Sequence, residues 1–291
     1  MNPGLLRRLR KSTPFWIGVF ILVVFAAMAI APTFLLGNAW PTGIYDPVTG
    51  YDFEVFHPAP PSAAHLLGTD NQGHDVLSQL LSATRPTFVL ATVAALVTAI
   101  SATVVALIGA VSTPWVDRSV GFISDALLLL PAPIFMLIIG SGALSQEIGP
   151  ITFGVIYGLI AGIGGGGIVL RAQAKSIMVR PFIDGARVAG VSRWRMATRH
   201  LLPHLVPLAA VFMLLAVAGA VIADGFISFL GQTATDVSWG TMVYWGTTFV
   251  NPITGDPAWN GVLAPSVALT LFCTAFHLIS VGVRRAADSQ Q

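Results

Sequence analysis

The sequence predicts an all-α membrane protein with six transmembrane helices and a short cytoplasmic helix between two of them. Three observations predict it. Hydrophobic residues make up 55% of the 291-residue chain and charged residues 10%, against about 25% charged in ordinary globular chains, and mean hydropathy is +0.78. The apolar residues gather in six runs, each near the roughly 20 residues a helix needs to cross a hydrocarbon core. The basic residues collect in alternate gaps between those runs, the bias expected of short cytoplasmic loops.

The runs cover roughly 15–36, 87–111, 120–142, 151–170, 205–226 and 261–283. Backbone polar groups find no water inside lipid, so helices are the default for such runs. The first follows Arg7, Arg8, Arg10 and Lys11 and reaches Ala29-Ile30-Ala31, as a cleavable signal would. Residues 15–31, however, hold no charge or strong polar group, which exceeds the usual apolar region of about 7–15 residues in a signal. An uncleaved anchor is therefore expected. The outer segment 37–86 is longer than an ordinary connection and is predicted to fold over the outer mouth. Within it, Thr69, Asp70 and Asn71 read as the cap of a turn leading to the second run.

Pro131 and Pro133 interrupt the third run. The fourth holds Gly164, Gly165, Gly166 and Gly167, which suit close helix packing or a weak, kinked turn and equally a kink that lines a substrate path. With the N-terminus inside, the inner segments are 1–14, 112–119, 171–204 and 284–291. They carry fourteen of the fifteen basic residues, leaving Arg85 outside. Asp46, Asp52, Glu54, Asp70, Asp75, Glu147, Asp224, Asp236 and Asp256 lie in or beside the outer loops 37–86 and 224–260. Both termini are expected to be cytoplasmic.

The inner segment 171–204 includes Arg187, Arg193, Arg195 and Arg199. Attraction to anionic lipid, about 1 kcal/mol per basic residue, accounts for that charge. It does not account for Asp184-Gly185-Ala186, Gly190 and Leu202-Pro203. Phe182, Ala186, Ala189 and Gly190 fall near one side of a helix, where small residues admit another surface and Phe182 offers an anchor. Gly190 permits a sharp break, so two short helices are expected, and Pro203 suits the entry to the fifth run. Such a helix is a docking element.

Asp184-Gly185-Ala186-Arg187-x-x-Gly190, followed by Arg199-His200-Leu201-Leu202-Pro203, resembles the EAA loop of ABC importer permeases. Residues 65–77, HLLGTDNQGHDVL, are similar to the HPLGTDxxGRDVL segment of one branch, the dipeptide and oligopeptide permeases of the type called C. Ile227-Ser228-Phe229-Leu230-Gly231 and Ser238-Trp239-Gly240-x-Met242 resemble that branch's LSFLG and SWGxM stretches. The four blocks occur in the family's order over roughly residues 65–285.

The resemblance implies the type I ABC importer permease fold in a bacterial cytoplasmic membrane. It divides the chain into 1–71, a permease domain at 72–285 and a tail at 286–291. It further implies a permease subunit of an ATP-driven peptide importer, sharing its pathway with a second permease subunit. Two cytoplasmic ATPase subunits would bind ATP and Mg, and an extracytoplasmic substrate-binding protein would deliver the cargo. Phe182, Asp184, Gly185, Ala186, Arg187 and Gly190 would form the coupling helix. Relatives in this branch also carry nickel and other small solutes, so the cargo class stays open. Asp184 and Gly185 replace the family's Glu and Ala, His74 replaces an Arg, and Val281 stands where an Asp is usual.

No Gly-Lys dipeptide occurs, so a Walker A phosphate loop is absent, as are HExxH, CxxC and GxSxG. The chain is therefore not expected to be an enzyme or to hold a cofactor, and a net charge of +2 gives no case for nucleic acid. Cys273 reads as a packing residue. His57, His65 and His74 share the outer loop and read as solvated or capping groups rather than a metal site. Asp125 is expected to pair with Arg118 at the inner rim, and His277 to hydrogen-bond at a partner interface. A relay through His277 would instead make a self-sufficient proton-coupled transporter, although no inverted repeat supports one. Asp70, Asp75, Asp224 and Trp239 are candidates for docking at the outer face.

Overall fold

A computed structural model describes residues 12–138, 149–230, 237–250, 255 and 257–288, the side chains of 283–288 excepted. The N-terminal basic cluster, Glu147, Gly231, Asp236, Asp256 and the side chains of Arg284 and Arg285 lie outside the described residues. Apart from a single turn at Thr42–Tyr45, the described helices are α1 (Thr13–Leu35), α2 (Val76–Val111), α3 (Pro114–Leu129), α4 (Ala132–Ile138), α5 (Pro150–Met178), α6 (Pro181–Val188), α7 (Arg193–Phe229), α8 (Trp239–Thr248) and α9 (Trp259–Asp288). No strand occurs among the described residues.

Helices α1, α2, α5, α7 and α9 are each long and apolar enough to span a bilayer, and α3 with α4 makes a sixth, broken span bent by 83°. Pro131 disfavours helical backbone at the residue before it, and Leu130 is extended at φ −80°, ψ 115°. The expected interruption of the third run is thus a sharp corner. Residues 139–142 of that run lie outside the described residues.

Three helices run well past the expected spans. α2 begins at Val76 and carries Pro86 inside it, α5 continues to Met178, and α7 starts at Arg193. Apolarity marks only the lipid-embedded stretch, whereas a helix continues wherever packing sustains it. At 36 residues, α2 is about 54 Å long at 1.5 Å per residue, against a core of about 30 Å. Its first turns, including Val76, Ser78, Gln79 and Leu80, are buried beneath the outer segment. Its N-cap is Asp75, which accepts from Ser78 N–H at 2.7 Å. This corrects the cap expected at Thr69–Asn71.

α2 is the central post, packed on α1, α5 and α7. Its contact with α5 is set by glycines four apart. A Cβ on Gly154 would lie 2.8 Å from Leu90 O, one on Gly158 2.7 Å from Val97 Cβ, and one on Gly162 2.0 Å from Ser101 Oγ. Across the seam, α2 presents Ala91, Ala94, Ala95, Thr98 and Ala102, all buried. Small residues facing small residues bring membrane helices to close range. On the other side of α2, Phe25, Phe88, Trp239 and Phe272 meet edge-on or tilted with ring centroids 5.1–5.5 Å apart.

α8 was not anticipated. Ser238 and Thr241 form a reciprocal capping box at its start, and a Cβ on Gly240 would lie 2.6 Å from Ser228 Cβ on α7.

Candidate functional site

Three features make up the candidate site: the exposed helix α6, a cavity beside a kink, and the cap formed by residues 37–75. The inner helix, α6, begins at Pro181 with Asp184 in its first turn and Arg187 in its last, both favourable against the helix dipole. It ends as a Schellman turn: Gly190 N–H donates to Arg187 O at 3.0 Å and Val191 N–H to Ala186 O at 3.1 Å. Gly190 takes φ +74°, a conformation that glycine adopts without penalty. The break expected at Gly190 is present, but the second helix is not short: from Arg193 it runs on without a break as α7.

One side of α6 is anchored by Ile183, which is fully buried, where the helix meets the first turns of α7. The other side is open. Phe182 is 44% exposed, Val188 91% and Trp194 on the next helix 78%, and a Cβ on Gly185 or Gly190 would meet nothing within 4 Å. Asp184 and Arg187 pair with each other at 3.0 Å, both exposed, and Ala186 is half-buried. Val188 and Trp194 were missed because their signal is exposure, which spacing does not report.

The cavity, about 290 Å³, lies where α5 unwinds. Gly162–Gly166 forms a π-helical turn with Gly164 at ψ −108°. The glycine run packs on α2 at one end and borders the cavity at the other. Gly166 and Gly167 pack on α2, their added Cβ atoms lying 3.0 Å from Ala102 Cβ and 2.8 Å from Val105 Cγ1. Gly164 backs onto Leu127 and Leu128, and Gly165 and Gly166 face the cavity with Thr98, Tyr157, Phe212 and Ala216. The wall is apolar, with Thr98 and Tyr157 as its hydroxyl groups.

The cap, residues 37–75, is knitted by its histidines, His65 buried and His57 and His74 half-buried. His65 Nδ1 lies 2.9 Å from Asp75 Oδ2 and its Nε2 3.2 Å from Asp52 Oδ2. His57 Nε2 faces Asp52 O at 2.7 Å and its Nδ1 faces Thr69 Oγ1 at 2.8 Å. Asp70 accepts from Gln72 N–H and His74 N–H and pairs with His74 Nδ1 at 3.1 Å. Asn260 on α9 donates to Leu67 O and Thr69 O. Burial works against the His74 imidazolium, but Asp70 and the charge of Asp46 outweigh it and raise its pKa. The Glu54 N–H, with His65 beside it, lowers that of Asp52.

Several expectations are corrected here. The three histidines are not free in solvent: His65 is buried, His57 and His74 are half-buried, and each is bonded within the cap. Asp70, Asp75, Asp224 and Trp239 are 2–7% exposed, so they hold the interior rather than offer a docking surface. Trp239 Nε1–H donates to Leu80 O at 3.4 Å. The exposed groups of the cap are instead Phe53 at 89%, Phe56 at 69% and Leu66 at 61%.

Among the described residues Asp125 forms no ion pair. It is exposed on α3, while Arg118 lies over the Trp115 ring at 5.6 Å. The inner-rim pair that does form is Asp117 with Arg171 at 3.3 Å and Lys175 at 2.5 Å. His277 is exposed on α9 and makes no hydrogen bond among the described residues.

Residues 102–289 match the family model described as binding-protein-dependent transport system inner membrane component. The chain is 30% identical over 289 residues to a protein of Brucella suis biovar 1 whose name describes a peptide transport system permease protein, covering 97% of this chain and 90% of that one. It is 33% identical over 233 residues to an oligopeptide transport system permease protein of Mycobacterium tuberculosis, covering 79% and 77%. It is 28% identical over 288 residues to a glutathione transport system permease protein of Pectobacterium atrosepticum, covering 97% and 88%.

Proposed function

Because the chain belongs to the binding-protein-dependent transport system inner membrane components, we propose that it is a permease subunit of a peptide importer and that α6 couples it to ATPase subunits. As a member of that family it is an integral inner-membrane permease of the ABC type, with the type I importer fold, and not itself a catalytic enzyme. The names of the relatives support a peptide cargo. Family membership gives no support to a self-sufficient proton-coupled carrier. The exposed intramembrane candidates Asp125 and His277, each without a partner among the described residues, add none.

In this reading both termini and α6 are cytoplasmic, and two ATPase subunits hold ATP and Mg. A second permease subunit completes the pathway around the cavity beside Gly165. A substrate-binding protein meets the cap at Phe53 and Phe56. ATP-driven closure of the ATPase pair moves α6. Ile183 passes that motion to α7, a continuous helix of 37 residues. At its far end Ser228 Oγ and Ser238 Oγ lie 3.0 Å apart, which links α7 to α8 and, through Trp239, to α2.

The observation that carries the proposal is the two-sided α6, anchored by Ile183 and bare over Gly185. Gly185→Leu tests it most directly, because the new side chain meets empty space within this chain. The expected result is a correctly inserted permease that loses its co-purifying ATPase subunits and its peptide uptake. Retention of both would overturn the coupling role. Gly190→Val is the less clean variant, since φ +74° strains any side chain there regardless of a partner.

A further inference from the structure

Resting on the cytoplasmic placement of α6 proposed above, we infer that the inner rim carries a site for the phosphate headgroup of an anionic phospholipid. The site is the pocket of about 360 Å³ between the end of α2 and the turn joining α6 to α7. Ser112, Arg187 and Arg193 contribute its polar lining, and Val111, Met178 and Met196 its apolar lining.

The charge balance singles this pocket out. Nearby, Arg171 and Lys175 are both engaged by Asp117. Arg187 shares only the exposed Asp184, and Arg193 forms no ion pair among the described residues. Two guanidinium groups therefore border one concavity with a single solvated carboxylate between them. The planar guanidinium fork matches phosphate oxygens bidentately, and a serine hydroxyl supplies a further donor.

Position and shape favour a lipid over free phosphate. The pocket sits where α2 ends at Val111. Trp115 on the adjoining segment is 76% exposed, and tryptophan is enriched at the headgroup level of a bilayer. Basic pockets between membrane helices on the cytoplasmic side suit anionic headgroups. The wall of Val111, Met178 and Met196 gives an acyl chain something to touch, which inorganic phosphate cannot use. An occupant would bridge α2 to the α6–α7 turn and so bear on the segment that moves in coupling.

The test uses the assembled permease–ATPase complex in native mass spectrometry, with phosphatidylglycerol, phosphatidylcholine and inorganic phosphate as probes. Retention of phosphatidylglycerol over phosphatidylcholine is expected, with a loss of roughly fivefold for each of Arg187→Gln and Arg193→Gln. Arg199→Gln, a basic residue away from the pocket, should change little. Displacement of phosphatidylglycerol by inorganic phosphate at comparable concentration would overturn the lipid assignment. An equal loss in Arg199→Gln would reduce the effect to diffuse surface charge and overturn the site. Unchanged lipid retention in the double variant would overturn it as well, including when ATPase subunits are lost. Peptide uptake read on the Arg193→Gln preparation, which leaves α6 unaltered, separates the two readings: lipid preference can fail there while uptake and ATPase association persist.

Discussion

Asp75 starts α2 and holds His65 with the same carboxylate: Oδ1 accepts from Ser78 N–H at 2.7 Å and Oδ2 lies 2.9 Å from His65 Nδ1. Both residues are almost fully buried. The segment 37–74 and the central helix are thereby joined at one side chain, and lifting the cap breaks the His65–Asp75 contact.

Replacing Asp75 should therefore cost twice over. Asp75→Ala removes a helix cap, worth about 1 kcal/mol, and leaves His65 with an unmet buried hydrogen bond, about 1–3 kcal/mol more. Asp75→Asn keeps a capping oxygen and should lose less. Thermal unfolding of the purified complex ranks the variants; Asn as damaging as Ala would contradict the separate roles.

The cap should also respond to pH in a defined window. His74 has a raised pKa, so its contribution is complete below the ordinary histidine value of 6.5 and fades as pH climbs through the raised value. Asp52 and Asp46 have lowered values, so theirs are complete above the ordinary 3.8 and vanish as pH falls through the lowered values. Proteolysis within 40–60, normalised to an unfolded peptide, should be slowest between these limits. His74→Gln should abolish the alkaline rise and leave the acid one.

Two neighbouring glycines should respond in opposite ways to the same change. Gly162→Leu pushes a side chain into Ser101 and the α2 backbone, and overpacking of this kind costs about 1–3 kcal/mol, so poor folding is expected. A Cβ on Gly165 meets only Leu128 Cδ1, at 3.6 Å, so Gly165→Leu should fold and fill the cavity. Peptide uptake should fall in a Gly165→Leu complex that retains its ATPase subunits. Normal uptake would show that the cavity lies off the transport path.

Ile183 should matter more to coupling than its size suggests. Ile183→Ala removes a fully buried anchor, typically about 2–5 kcal/mol of local packing, while leaving the exposed face of α6 intact. ATPase subunits should still bind, with ATP hydrolysis no longer tied to uptake. Tightly coupled hydrolysis in this variant would mean that α7 receives the motion elsewhere.

The membrane class, the broken third run and the break at Gly190 were legible because each rests on a local property. Hydropathy marks a lipid-embedded stretch, proline denies a helical predecessor, and glycine alone takes φ +74° freely. Asp70, Asp75, Asp224 and Trp239 were misplaced for the opposite reason. A polar residue beside an outer loop reads as exposed until a partner is known, and here the partners of Asp75 are residues as distant in sequence as His65. The Ser238-x-x-Thr241 capping box was a local signal for α8 that was overlooked.

By itself the sequence determined which stretches enter the bilayer and where the backbone must break, since solvation and steric limits act on each residue in place. The tertiary structure alone decided which charges pair and which glycines pack. Asp117 chose Arg171 and Lys175 over fifty positions away, and Gly162 meets Ser101 while Gly165 meets only the tip of Leu128. Those outcomes depend on how helices are rotated and set against one another, and that geometry belongs to no single segment.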